Sequence, residues 1–127
     1  MLSVLSVDDE SSIRQLMADF VSREGHKFRG AKSGEEALRM IEQEKPDIVF
    51  LDYNMPGLDG EETLQEMIKN HPDLFVVMVT INNDRLKAME LMIKGASDYI
   101  TKPIDFPYLS RILSLREVFV GLCPPPC

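Results

Sequence analysis

The sequence predicts an α/β fold: a five-stranded parallel sheet, doubly wound in the order 2-1-3-4-5, with helices on both faces. Three observations predict it. Short apolar runs, several rich in Val, Ile and Leu, alternate five times with segments whose apolar residues recur at helical spacing. Each strand–helix unit takes about 20 to 27 residues, which suits a right-handed crossover between parallel strands. The conspicuous polar residues fall where a strand stops, the edge on which doubly wound sheets place their ligand crevice.

Each element has its own local signal. Leu2 to Val7 is a short strand that ends in acid. Ile13, Leu16, Met17 and Phe20, with Val21 beside them, mark the first helix. A weak strand follows near His26 to Gly30, then a helix around Ser33 to Gln43 with Ala37, Leu38 and Ile41 on one side. Asp47 to Leu51 is a buried strand containing Ile48-Val49-Phe50-Leu51. Gly57 to Gly60 turns the chain into a helix carrying Leu64, Met67 and Ile68. Leu74 to Val79 is the fourth strand, and Asn83 to Ile93 reads as a helix closed by Gly95 as its C-cap. Ser97 to Thr101 is the fifth strand. The last helix runs from Phe106 to Val118, with Asp105 as N-cap and Pro107 in its first turn. For five such units the flavodoxin-like order is the natural arrangement.

Composition limits the function. A chain of 127 residues with 44% hydrophobic and 28% charged residues is of ordinary globular make-up for one domain. Fourteen Lys and Arg against twenty-one Asp and Glu give a net charge of -7, which disfavours binding to phosphate backbones. No uncharged apolar stretch is long enough to span a membrane, and the start, with Asp8, Asp9 and Glu10, does not read as a secretory signal. The only cysteines, Cys123 and Cys127, lie in the last five residues, so the body of the domain fits a reducing, cytoplasmic setting.

The chemistry gathers at the strand ends. Asp8 and Asp9 follow the first strand, Asp52 the third, Thr80 the fourth and Lys102 the fifth. In a parallel sheet these ends share one edge, so three carboxylates, a hydroxyl and an ammonium converge. Clustered carboxylates repel one another unless a cation or proton intervenes, and an all-oxygen donor set favours Mg²⁺ over Zn²⁺. Three carboxylates, one Mg²⁺ and one Lys⁺ sum to zero. An acyl phosphate on one carboxylate takes the site to only about -1, so it tolerates a phosphoryl group. Asp52 is the best nucleophile: it follows a buried strand, and the Tyr53-Asn54-Met55-Pro56-Gly57 loop can turn backbone groups toward the crevice. Each residue alone has a plainer reading. Asp9 or Ser11 could cap the first helix, Asp52 could be a turn acid, Thr80 a strand-edge residue and Lys102 a surface lysine. Their joint placement at four strand ends is what points to a site.

These residues resemble the receiver domain of two-component response regulators, the group that includes the stand-alone chemotaxis response regulator. The resemblance runs from Leu2 to Val118. It rests on Val7-Asp8-Asp9-Glu10, Asp47 to Leu51 leading into Asp52, Met55-Pro56-Gly57-Leu58-Asp59-Gly60, Thr80, Gly95-Ala96, Asp98-Tyr99 and Lys102-Pro103. It implies that Asp52 is phosphorylated by a histidine kinase or a histidine phosphotransfer protein. It implies Mg²⁺, for which Mn²⁺ can substitute, held by Asp9, Asp52 and the backbone carbonyl of Asn54, with Asp8 acting through a metal-bound water. Lys102, Thr80 and the backbone N–H of Ile81 would bind the phosphoryl group. Thr80 and Tyr99 would be the switch pair, and the face of helix 4, strand 5 and helix 5 would present the signal to a downstream protein or to a second copy. The Lys102–Pro103 bond would be cis, and Arg14 and Gln15 would be candidate kinase contacts.

One position departs from the family pattern: Ile81 stands where a small residue is usual. A branched side chain there is expected to crowd the donor or the hydrolytic water and lengthen the life of the phosphorylated form. Asn54 and Asn82 offer hydrogen bonds but no strong base, which also favours slow hydrolysis. His26 and His71 are assigned no catalytic or metal role. The domain is expected to span 1–118, with 119–127 as a tail or linker stub, and two thiols are too few for a zinc site. The leftover residues hold no DNA-binding or catalytic output module, so the chain reads either as a single-domain regulator or as the N-terminal receiver of a longer, DNA-binding one. A non-phosphorylated interaction module and a Mg²⁺-dependent phosphohydrolase are the competing classes. Turnover of an external substrate is not expected as the main role.

Overall fold

A computed structural model describes residues 1–81 and 85–122. Its elements are β1 (Ser3–Val7), α1 (Ser11–Arg23), β2 (Lys27–Ala31), α2 (Gly34–Gln43), β3 (Ile48–Asp52), α3 (Gly60–Asn70), β4 (Val76–Thr80), α4 (Arg85–Ile93), β5 (Asp98–Thr101) and α5 (Phe106–Leu122). All five strands pair in parallel in the order β2-β1-β3-β4-β5, as the alternation of short apolar runs and helices predicts. Side chains alternate across the central strands and so build two cores. Leu5, Val7, Val49, Leu51, Val76 and Met78 pack with Ala37 and Ile41 of α2, Leu64 and Met67 of α3 and Leu91 of α4. Val4, Ile48, Phe50, Val77, Val79 and Ile100 pack with Met17 and Val21 of α1 and Leu109, Ile112 and Leu113 of α5. Burial on both faces is why β3 and β4 are apolar almost throughout.

Helix starts are fixed by side chains that accept orphan amides. Ser33 accepts from Glu36 N (3.1 Å), Asp59 from Glu62 N (2.9 Å) and Asp105 from Tyr108 N (3.2 Å). At α1, neither Asp9 nor Ser11 is the cap: Glu10 holds that position and makes no side-chain cap bond. Gly60 is required by close approach, because a Cβ there would lie 2.5 Å from the Asp52 carbonyl and the Tyr53 Cα. Gly95 ends α4 at φ +116° against Ile68.

Several boundaries move. Hydrogen bonds from Tyr53 N to Val79 O and from Lys102 N to Thr80 O (both 2.8 Å) carry the ladder one residue further, so Asp52 and Thr80 are the last strand residues rather than the residues after. β4 starts at Val76 and β5 at Asp98, both later than the apolar pattern suggests. His26 precedes β2, and its Nδ1 accepts from Leu2 N (3.0 Å). Leu16 is 43% exposed, so it belongs to the outer side of α1. α5 continues one turn past Val118 to Leu122, because Val120 packs on the α1–α5 core and Phe119 lies against the Arg116 guanidinium (5.1 Å). Asn82, the Asn83 start of α4, Cys123 and Cys127 lie outside the described residues.

Candidate functional site

The register delivers the polar residues to one edge. Val7 pairs with Leu51, Asp52 with Val79 and Thr80 with Thr101, so the residues at and just after these positions face a common crevice. One carboxylate oxygen from each of Asp8, Asp9 and Asp52 lies within 4.8 Å of the others. Asp8 and Asp52 are buried and Asp9 is exposed, so the cluster has two walls and an open mouth. Lys102 Nζ donates to Asp8 Oδ2 at 3.0 Å and stands 3.6 Å from Asp52 Oδ2. Thr80 is buried at the end of β4, and the Lys102–Pro103 bond is cis. The Asn54 amide donates to Asp52 Oδ1 at 3.2 Å, so the loop after β3 does turn a backbone group onto the acid.

The electrostatics are strained in the way clustered like charges require. Burial pushes the Asp52 carboxyl up, and the neighbouring Asp8 charge pushes it further, against the pull of Lys102 and the Asn54 amide, to about 6. Burial alone would lower the Lys102 ammonium, but its hydrogen bond to Asp8 and the charges of Asp52 and Asp8 more than offset that and leave it raised. One ammonium against three carboxylates leaves the site short of positive charge. An all-oxygen set with an open side suits a hard divalent cation, so the residues present fit Mg²⁺.

Other expected residues are placed less simply. Tyr99 of β5 is half-buried against the α2–α4 core. Ile81 is 66% exposed. Gln15 is exposed and bonds Asp19 within α1 (2.9 Å), whereas Arg14 turns back and donates from Nη1 to the Asp8 carbonyl at 2.7 Å. His71 pairs with Glu42 away from the site (3.0 Å). Sequence reasoning passed over one feature, a link between α3 and α4. Glu61 pairs with both Lys87 and Lys94, Glu90 pairs with the same two, and Lys87 lies over the Tyr53 ring at 5.4 Å. The i, i+3, i+7 spacing of Lys87, Glu90 and Lys94 was the available signal, since it sets all three on one helix side.

Comparisons with known proteins agree with this geometry. The family described as response regulator receiver domain matches residues 4–114. The transcriptional regulatory protein AfsQ1 of Streptomyces coelicolor is 32% identical over 116 residues, covering 91% of this chain but 49% of that protein. The receiver domain of NtrX from Brucella abortus superposes with a TM-score of 0.83 at 38% identity, covering 89% of this chain and 96% of the other. The Vibrio cholerae chemotaxis protein CheY4 superposes at 0.85 with 28% identity, over 91% and 98%. The chain therefore belongs to the response regulator receiver domain family.

Proposed function

We propose that the domain is a phosphoacceptor switch in which Asp52 takes a phosphoryl group from the phosphohistidine of a histidine kinase or phosphotransfer protein. The observation that carries this is the meeting of Asp8, Asp9, Asp52 and Lys102 at one sheet edge, in a receiver family member. A carboxylate oxygen of Asp52 attacks phosphorus, the P–N bond breaks as the P–O bond forms, and the imidazole leaves with the bonding pair and takes up a proton. Lys102 holds the transferring oxygens at the buried end of the crevice, and Thr80 and the Ile81 amide complete the cradle. Asp9, Asp52 and the Asn54 carbonyl would hold Mg²⁺, with Asp8 acting through water, and the ion would supply the positive charge the site lacks. The same residues would release the phosphoryl group to water, so the domain catalyses its own modification and its loss.

Conversion of Asp52 to an acyl phosphate is a local charge change that draws Thr80 inward and lets Tyr99 follow. The readout face fits this reading. Leu86 (78% exposed), Met89, Met92 and Ile93 (85%) leave the outer side of α4 apolar, the make-up of a protein-binding surface for a downstream target or a second copy. Among the described residues no helix is long and apolar enough to cross a membrane, and a cytoplasmic location completes the proposal. A second reading has its own support. The chain spans 49% of AfsQ1, so it can also serve as the receiver module of a longer regulator.

Incubation with acetyl phosphate and Mg²⁺ followed by intact-mass measurement tests the switch. One added phosphoryl group, absent with EDTA and in Asp52→Asn, is expected. An unmodified protein, or rapid turnover of phosphate esters, would count against it.

A further inference from the structure

The β1–α1 turn carries two of the three clustered carboxylates, yet α1 starts without a side-chain cap. Bonds to its backbone hold the turn instead. Asp8 N donates to Ala31 O (3.0 Å), Glu10 N to Asp8 Oδ1 (2.9 Å) and Arg14 Nη1 to Asp8 O (2.7 Å). The second bond spends a carboxylate oxygen whose charge the site uses. Of these, only the third comes from a side chain outside the turn.

The oxygen Arg14 holds belongs to the peptide group joining Asp8 to Asp9. That group is planar, so fixing its C=O fixes the direction in which the Asp9 Cα leaves it. A charge-assisted, partly buried bond of 2.7 Å is a strong tether for such a plane. The stem of Arg14 reaches the carbonyl across β2 at Gly30, where an added Cβ would lie 3.4 Å from Arg14 Cδ.

We infer that Arg14 is a positioning residue for the acidic cluster: by holding the Asp8–Asp9 peptide plane it sets the Asp9 carboxylate against Asp8 and Asp52. This inference rests on the cluster being a cation-dependent phosphoacceptor site.

Isothermal titration of the full chain with MgCl₂, with a thermal melt of each protein, tests it. Arg14→Met keeps the stem and removes the donors; it is expected to weaken Mg²⁺ affinity about tenfold, as outer-shell substitutions do. Arg14→Lys recovers part of that loss, Gln15→Ala binds as the wild type does, and the Mg²⁺ concentration for half-maximal labelling by acetyl phosphate shifts by the same factor. Wild-type affinity in Arg14→Met overturns the inference while leaving the phosphoacceptor reading standing. Absence of Mg²⁺ binding by the wild type removes both. Should Arg14→Met not fold, Arg14→Lys decides: weaker affinity supports the inference and unchanged affinity overturns it.

Discussion

β3 has an aspartate at each end, and the two live in opposite surroundings. Asp47, just before the strand, accepts the Ser3 amide on Oδ2 (2.7 Å), donates its own amide to the Ser3 carbonyl (2.8 Å) and offers its carbonyl to Arg116 Nε (2.9 Å). Asp52, at the other end, has one backbone amide, a shared lysine and two carboxylate neighbours. Asp47 ties strands together. Asp52, 2% exposed and crowded by like charge, is poised to change its chemical form. The difference teaches that a half-buried acid paired with donors is structural, while a buried one held among other acids marks chemistry.

The largest test of that contrast is labelling. Asp52→Asn is expected to abolish phosphorylation by acetyl phosphate, while Asp47→Asn labels at the wild-type rate; mass spectrometry time courses compare them. Next comes Lys102→Ala, which removes the one ammonium found within 4 Å of Asp8 and Asp52 among the described residues. Its labelling rate should fall about 100-fold, the usual cost of losing one charge-stabilising donor.

Stability separates the two acids further. In the fold Asp52 keeps its proton up to about pH 6, whereas its ordinary value is 3.8. The folded state therefore binds more protons in that window, and the Asp52 contribution to stability declines as pH rises from about 4 to 6. The shift corresponds to about 3 kcal/mol, so in metal-free buffer at pH 7 Asp52→Asn should be more stable than the wild type by about 2–3 kcal/mol. That gap should close below about pH 4 in denaturant titrations. Asp47→Ala should instead lose about 1–3 kcal/mol, because the Ser3 amide is left without its acceptor. The smallest effect is expected at Ile81: Ile81→Ala shortens the lifetime of the labelled form, and equal decay rates would refute the crowding argument.

Much of this was legible in the sequence because each piece had a local cause. The Ile48-Val49-Phe50-Leu51 run read as a buried strand, and Asp105 stood before the last helix as its N-cap. The strand-end residues could be assigned to one edge because parallel pairing makes all the carboxyl ends coincide. What remained hidden depends on side-chain direction across elements. No spacing rule separates Arg14, folded back onto Asp8, from Gln15, turned outward. Nor does any rule say that Glu61 reaches α4 rather than its own helix. The end of α5 was misplaced because Phe119 and Val120 look like tail residues until a cationic and an apolar neighbour are found for them.

The most direct test is to locate the modification. After labelling with acetyl phosphate and Mg²⁺, borohydride reduction converts an acyl phosphate to an alcohol, and peptide sequencing by mass spectrometry finds the altered residue. The phosphoacceptor account predicts homoserine at position 52 and nowhere else. Reduction at Asp8, Asp9 or Asp47, or no reduced residue in a folded and fully labelled protein, would contradict it.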